Sequence, residues 1–463
     1  MTVDFESTGD RPFSAWRAHS QEISGINLIG YATHNFGIGN SFRHIASALL
    51  AKGIPIRIHD LAQQVAVQGR DDSLTSHFVE QMRELPFEVN LFCLNIMALP
   101  DLLLRIKEDE LAWDKRLNVA VVFWELPVLP PHWLPAIAAF DVVLCSSWFI
   151  RESIGWQVPG TVPLHLHYPL SMPEIPRMDR TSFGIPRDAY AFYFSFDPFS
   201  GMDRKNPYAV LQAFRQAFDG AGNTHLVIKL NAPSADSPAL SADARRFIAE
   251  CASTPHVTLI SRSISYAETL GLCQACCDCY VSLHRSEGLG LGPMEAMLLG
   301  KPVILTAWSG NMSYAPAYAS CLVPCGLVRP DGMDAPQFES SFLGARARWA
   351  APRVASAAYW MKRLATEPAF AAQLAAQGRQ HVARYVAEAA ECRFVDELSS
   401  LYVLKKSHGF GVPPLEESQR RILRSRKAHF GLRVQRLRRL LTNHVPGFWR
   451  LFRWMNRPGR DGL

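Results

Sequence analysis

Two glutamates, Glu287 and Glu295, bracket Gly288, Gly290 and Gly292 in the run HRSEGLGLGPMEAMLLGKP, residues 284–302. Glycine amides ahead of a helix suit a phosphate, because bare N–H groups and the positive end of the helix dipole converge there. The carboxylates suit hydroxyl groups of a ribose or a sugar. Together they would make a nucleotide-sugar site. The same spacing also serves a βα turn whose glycines only relieve packing. Upstream, Arg204 and Lys205 stand side by side where the sequence reads as the start of a helix running to Phe218. Cations are disfavoured at a helix N-terminus. A bound diphosphate would offset that repulsion, and a solvent-exposed pair is the alternative. A second glycine loop, Phe36-Gly37-Ile38-Gly39-Asn40, lacks the dinucleotide pattern GxGxxG. Beyond it, Arg43 and His44 either face an anionic ligand or form a solvated helix face. Cys273, Cys276, Cys277 and Cys279 invite a zinc reading but have no second Cys or His pair at finger spacing, so buried structural cysteines are expected and no metal.

The elements that must position these residues follow a βαβ rhythm. Gly25 to Tyr31 reads as a buried strand, Ser41 to Lys52 as a helix, and Ile54 to Ile58 as the next strand. Further strands are Val89 to Leu94, ending at Asn95, Val119 to Trp124, ending at Glu125, and Val142 to Cys145. Ligands of open α/β sheets collect at such carboxyl ends. Asn95, Trp124 and Glu125 therefore become candidates. Glu125 is either a turn residue before Leu126-Pro127 or part of an acceptor cleft. The proline-punctuated stretch from Pro159 to Arg180 reads as an interdomain linker. A second series follows, with strands at Tyr190 to Ser195, His225 to Leu230, Val257 to Ile260, Tyr280 to Leu283 and Pro302 to Leu305. The expected fold is α/β: two Rossmann-like domains facing across a cleft, plus a helical C-terminal tail. The expected divisions are a leader at 1–22, Rossmann-like domains at 23–175 and 176–385, a helix at 386–403, and a basic tail at 404–463.

Length and composition agree with this. A chain of 463 residues with 48% apolar content is long enough for two or more domains. Ten irregularly spaced cysteines do not make a secreted disulfide framework. The N-terminus has no apolar signal core, and no run reaches the roughly 18–20 apolar residues of a membrane span. A cytoplasmic protein is expected. The net charge of +6 is unevenly placed: from Glu416 onward there are 13 Lys/Arg and 3 Asp/Glu, so the body is slightly acidic. Residues 420–455 interleave these cations with Leu, Phe and Trp. That pattern suits an interfacial helix on anionic lipid, at the inner face of the membrane, or else an oligomerisation helix. No nucleic-acid module accompanies the charge, and no nucleic-acid partner is expected.

Five stretches, in order, carry a resemblance. They are GINLIGY with FGIGNSFRHIASALLAKGIP, FSFDPFSGMDRKNPYAVLQAF, YVSLHRSEG, EGLGLGPMEAM with LGKPVI, and TAWSGNMSY. Over roughly residues 24–400 the chain resembles the group 1 (family 4) retaining glycosyltransferases of GT-B fold, especially bacterial O-antigen and polysaccharide mannosyltransferases. The resemblance implies a nucleoside-diphosphate sugar as donor substrate, with GDP-mannose favoured, and no further cofactor. Glu295 would bind the ribose hydroxyls and Glu287 the donor sugar. The amides of Gly288, Leu289, Gly290, Leu291 and Gly292 would lie against sugar and phosphate, with Ser309, Gly310 and Asn311 on the same donor side. Lys205, helped by Arg204, would neutralise the departing diphosphate. Gly37 and Gly39 would approach the phosphates from across the cleft, where Asn95, Trp124 and Glu125 mark the acceptor side. The acceptor would be a glycan or a lipid-linked glycan. A membrane-docked non-catalytic subunit and a sugar-nucleotide epimerase of the same fold are the alternatives.

Overall fold

The computed structural model describes residues 22–34, 37–61, 70–106, 111–218, 223–232, 234–238, 240–262, 264–330, 344, 346–409 and 417–424. The expected leader, apart from Glu22, and the expected tail, apart from residues 404–409 and 417–424, lie outside these described residues.

Strands buried on both faces need near-continuous apolar runs, and the chain supplies them. Six such runs form the first sheet: β1 (Ile26–Gly30), β2 (Ile56–Asp60), β3 (Val89–Cys93), β4 (Leu117–Val122), β5 (Val142–Cys145) and β6 (Val162–His165). All pairs are parallel, in the order β2-β1-β3-β4-β5-β6. The second sheet repeats the design with β7 (Tyr190–Phe196), β8 (Thr224–Leu230), β9 (Val257–Ser261), β10 (Cys279–Ser282), β11 (Val303–Thr306) and β12 (Cys321–Val323). Its order is β12-β11-β10-β7-β8-β9, again parallel. Each sheet has an apolar core on both faces. A two-stranded antiparallel ribbon, β13 (Cys325–Val328) with β14 (Trp349–Pro352), follows. This is the two-domain Rossmann-like architecture named GT-B, with a helical C-terminal region. All ten cysteines are free, and all but Cys325 are buried.

One polar ladder pins the first sheet. Asn27, Asn90 and Asn118 are register partners on β1, β3 and β4. Asn27 donates to Asn90 Oδ1 at 2.9 Å, and Asn90 donates to Asn118 Oδ1 at 3.0 Å. A one-residue slip would break both bonds and turn the apolar side chains over. The Asn118 amide in turn donates to Asp141 at 2.8 Å. Asp141 also accepts Lys405 Nζ at 2.7 Å, from a helix at Phe394–His408. That helix follows a long one at Pro368–Ala390, which packs on the second sheet, and its Phe394 and Leu398 are buried in the core of the first. The chain thus returns to the first domain and closes an ion pair there. Farther on, Leu423 is buried against that domain as well. Among the described residues no helix is long and apolar enough to cross a membrane.

The Asp141 side chain is 1% exposed, so removing its cation leaves a buried charge. Lys405→Met is expected to cost about 3 kcal/mol in urea unfolding, and adding Asp141→Asn is expected to recover most of it. An unchanged midpoint in the single variant would show that the returning helix does not rest on this pair.

Candidate functional site

The strand order of the second sheet reverses between β7 and β10, and crevices for ligands open at the carboxyl ends of such neighbours. Two segments meet there. The chain leaving β7 forms a one-turn helix, α1 (Met202–Lys205). The chain leaving β10 runs through His284 into the glycine loop and then α2 (Leu291–Leu298). Residues 82 and 83 positions apart in sequence are thereby joined. Lys205 Nζ donates to Glu287 Oε1 at 2.5 Å, and Arg204 Nη1 donates to Glu287 Oε2 at 3.1 Å. The Arg204 Nη1 also donates to the Ser286 carbonyl at 3.0 Å.

The two cations are not at the start of the long helix. They occupy the last turn of α1, and Asn206, at φ +53°, separates it from the helix Pro207–Phe218. The dipole repulsion expected of a helix N-terminus is therefore absent. Their charges are balanced by carboxylates instead. Besides Glu287, Glu125 of the first domain reaches Arg204, with Oε1 lying 3.8 Å from Nη2. Arg204 is 3% exposed, so it faces inward, while Lys205 keeps part of its side chain open.

Burial alone would raise the Glu287 pKa, but Lys205 and Arg204 outweigh it and hold the carboxyl at about 2. Burial pulls the Lys205 ammonium below its usual value against the attraction of Glu287. Burial would likewise lower Arg204, but Glu287 and Glu125 keep it above its usual value. Glu125 is pushed up by burial and, secondarily, by the like charge of Glu287, against the pull of Arg204. His284, fully buried beside this cluster, is held at about 4 by burial and stays neutral.

Glu295, on α2, sits in different surroundings. It is 9% exposed and accepts the Tyr266 hydroxyl at 2.9 Å. Burial pushes it up to about 7, against that hydroxyl. Tyr266 opens a helix at Tyr266–Cys276, and its ring lies 5.8 Å from His44 of the first domain. Nothing in the spacing of SYAE, a helix-capping pattern, marks Tyr266 as a partner of Glu295.

The glycines are individually required. Gly290 has φ +86°, and its carbonyl accepts the Tyr314 hydroxyl at 2.5 Å. A side chain on Gly292 would strike the Tyr280 ring, and one on Gly310 would overlap the Gly288 carbonyl. Gly310 N donates to the Glu287 carbonyl, and Ser309 Oγ accepts from the Glu287 amide, each at 2.9 Å. Ser309 itself has φ +71°, a strained conformation of the kind that concentrates at functional sites. Asn311 braces the loop by donating to the Thr306 carbonyl at 3.0 Å. Leu289 is buried in the core, and Leu291 packs against it partly buried.

From the first domain the contacts differ from what the sequence implies. Trp124 is not a cleft wall. Its ring is 2% exposed, packs edge-on against Trp133, and donates to the Val128 carbonyl. Its backbone is what approaches Gly288, whose missing side chain permits the contact. The Ser286 hydroxyl donates to the Glu125 carbonyl across the same junction. Asn95 caps a helical turn by accepting from Met97 N at 2.9 Å. Gly37 and Gly39 lie in the first turn of the helix Gly37–Ala51 rather than in a loop ahead of it. Gly37 is open, whereas Gly39 packs on the His34 carbonyl. Arg43 is not solvated. It donates to the carbonyls of Ala32 and His34 and pairs with Asp71. His44 is buried too, its Nδ1 lying 2.9 Å from the Tyr168 hydroxyl. Among the described residues no cluster of His, Cys, Asp and Glu could hold a metal ion.

Residues 203–331, which span Lys205, Glu287, Glu295 and Asn311, match the family model described as glycosyl transferases group 1. Through this segment the chain is similar to the group 1 glycosyltransferases. Its fold is similar to that of several solved structures. Sucrose-phosphate synthase from Thermosynechococcus elongatus aligns with a TM-score of 0.56 at 15% identity, covering 82% of this chain and 99% of that one. HepE from Anabaena, solved with UDP and glucose, aligns with a TM-score of 0.56 at 12% identity over 82% of this chain and 100% of that one. OtsA, solved without ligand, aligns with a TM-score of 0.52 at 10% identity over 81% and 99%. At these identities the likeness is one of fold. No curated protein matches the chain in sequence.

Glu295 yields a stability prediction. Its folded pKa, about 7, lies above the ordinary carboxyl value of 4.5, so the folded chain binds the extra proton between these two values. Stability is therefore lost as pH rises through that window, and the cost is complete above about pH 7. Glu295→Gln removes this cost. It is expected to stabilise the chain on the order of 2 kcal/mol at pH 8 and very little at pH 4.5. A pH-independent change in melting temperature would contradict the assignment.

Proposed function

We propose that the chain is a retaining hexosyltransferase that takes its donor, a nucleoside-diphosphate sugar, into the crevice between β7 and β10, and its acceptor from the first domain. The observation that carries this reading is the convergence of Lys205, Arg204 and Glu287 on one face of a glycine loop, with Glu295 on the helix behind it. In the proposed division of labour, Glu295 binds the ribose hydroxyls, and Glu287 with the loop amides receives the sugar. Lys205 faces the diphosphate. Ser309, Gly310 and Asn311 keep the loop in place. A glycosyl transition state is oxocarbenium-like, and its leaving diphosphate needs fixed positive charge where negative charge accumulates. A carboxyl held at about 2 by two cations is a weak base. That suits Glu287 to accepting sugar hydrogen bonds and makes it a poor nucleophile. Retention is then assigned to attack from the face of the departing phosphate, without a metal.

GDP-mannose is the donor weighted by the family resemblance, and UDP-glucose is the one suggested by the ligands of HepE. The acceptor in this reading is a glycan or lipid-linked glycan of a bacterial surface polysaccharide. The basic segment at 420–455 would bring the enzyme to the inner face of the membrane. Truncation after Arg424 is expected to abolish co-sedimentation with anionic liposomes; equal binding of both forms would remove the membrane from this proposal.

A thermal-shift panel of UDP-, GDP- and TDP-sugars tests the donor. One base is expected to raise the melting temperature of the wild type. Glu287→Ala and Lys205→Ala are each expected to reduce transfer or donor hydrolysis at least about 100-fold, in the range of losing one electrostatic contact to a transition state. Unchanged turnover in both would sink the site assignment. A wild type that responds to no nucleotide sugar would favour a non-catalytic subunit.

A further inference from the structure

We infer that Glu125 is a positioning residue that latches the first domain onto the diphosphate cations and competes with the donor for them; this rests on the proposed reading of the crevice. Glu125 follows β4 and belongs to the first domain, yet both its ends engage the second. Its carboxylate lies 3.8 Å from Arg204 Nη2, and its carbonyl accepts the Ser286 hydroxyl. Its side chain retains 25% exposure, while that of Arg204 retains 4%, so the carboxylate is the more open member of the pair. Next to it, the backbone of Trp124 lies against Gly288, one residue beyond Glu287.

Charge decides what this contact does. Arg204 and Lys205 carry two positive charges. Glu287 and Glu125 balance these two charges among the four side chains, and Asp197 adds a weaker negative influence on Arg204. A diphosphate needs a net positive seat. In an electrostatic sense Glu125 takes the place of a ligand anion. It holds the domains together in the absence of donor, and it must yield, by moving or by protonation, as the diphosphate enters. Without Glu125 the same groups would carry one net positive charge.

The test uses the full chain with inorganic pyrophosphate and UDP as probes, calorimetry for affinity, and small-angle scattering for domain closure. Glu125→Gln keeps size and loses charge. It is expected to increase the radius of gyration of the free protein and to tighten pyrophosphate binding by roughly three- to tenfold at low salt, a gain that shrinks with added salt. Ser286→Ala breaks the other half of the latch without changing charge. It is expected to open the free protein and to tighten pyrophosphate binding less than Glu125→Gln does, because the carboxylate stays on the chain. Glu125→Asp, one methylene shorter, is expected to open the cleft with a similarly smaller gain in affinity. If Glu125→Gln leaves both scattering and affinity unchanged, the latch is refuted. It is equally refuted if the variant binds pyrophosphate more weakly with a lower melting temperature, which is what a merely structural role would give. If the latch results hold while the wild type responds to no nucleotide sugar, the donor reading fails and the latch stands.

Discussion

Charge burial at the domain junction is the constraint on which the crevice depends. Arg204 is almost wholly buried and cannot be neutral, so it must be given carboxylates. It receives Glu287 from its own domain and Glu125 from the other. It also donates to the Ser286 carbonyl, fixing the chain just before the glycine loop. Glu287 is in turn held by Lys205 and by the backbone bonds of the 309–310 turn. None of these groups is tolerable alone in that environment. These contacts fix the start of the glycine loop, with Glu287 at its head paired to an ammonium group.

The rest of the second domain can be understood as support for that position. Tyr314 holds Gly290 from one side, and Tyr280 limits Gly292 from the other. Ser309 accepts a strained backbone so that its hydroxyl can receive the Glu287 amide. Strain of this kind costs on the order of 1–3 kcal/mol and persists only where the surroundings over-determine it. Glu295 shows the opposite choice. It has a hydroxyl partner rather than a cation, and burial leaves it near neutrality. A buried carboxyl gains from hydroxyl donors, which stabilise its ionised form. Two glutamates eight positions apart thus differ in electrostatic state because one meets two cations and the other a phenol.

Much of this was legible in sequence, for local reasons. Parallel strands buried on both faces read as apolar runs, so Val119–Trp124 and Val142–Cys145 marked real strands. The glycine loop lay between a strand and a helix, which is a neighbour relation along the chain. What could not be read was either a cap or a partner distant in sequence. Arg204 and Lys205 looked like the opening of one long helix, because nothing local announces that Asn206 will adopt a left-handed conformation. Arg43 looked solvated, since its carbonyl partners are supplied by loop backbone rather than by a side-chain pattern. Trp124 sat at a strand end, but indole area and a local carbonyl acceptor at Val128 drew it into the core.

Glu125 combines both difficulties. Its position before Leu126-Pro127 is consistent with a simple turn, and its cation lies 79 residues along, in another domain. Only the packed pair of sheets brings them together. A carboxylate on one domain opposite a cation on the other makes closure depend on charge and not on shape alone. Surface ion pairs are weak because water competes for both partners. Here the guanidinium is shielded from water, so the interaction is screened less and its replacement by an anionic ligand alters the balance more. A hydrophobic contact at the same place would close the cleft equally well but would not respond to the charge of what enters it. In the proposed reading, the arrangement around Arg204 couples donor occupancy to domain position through one shared cation.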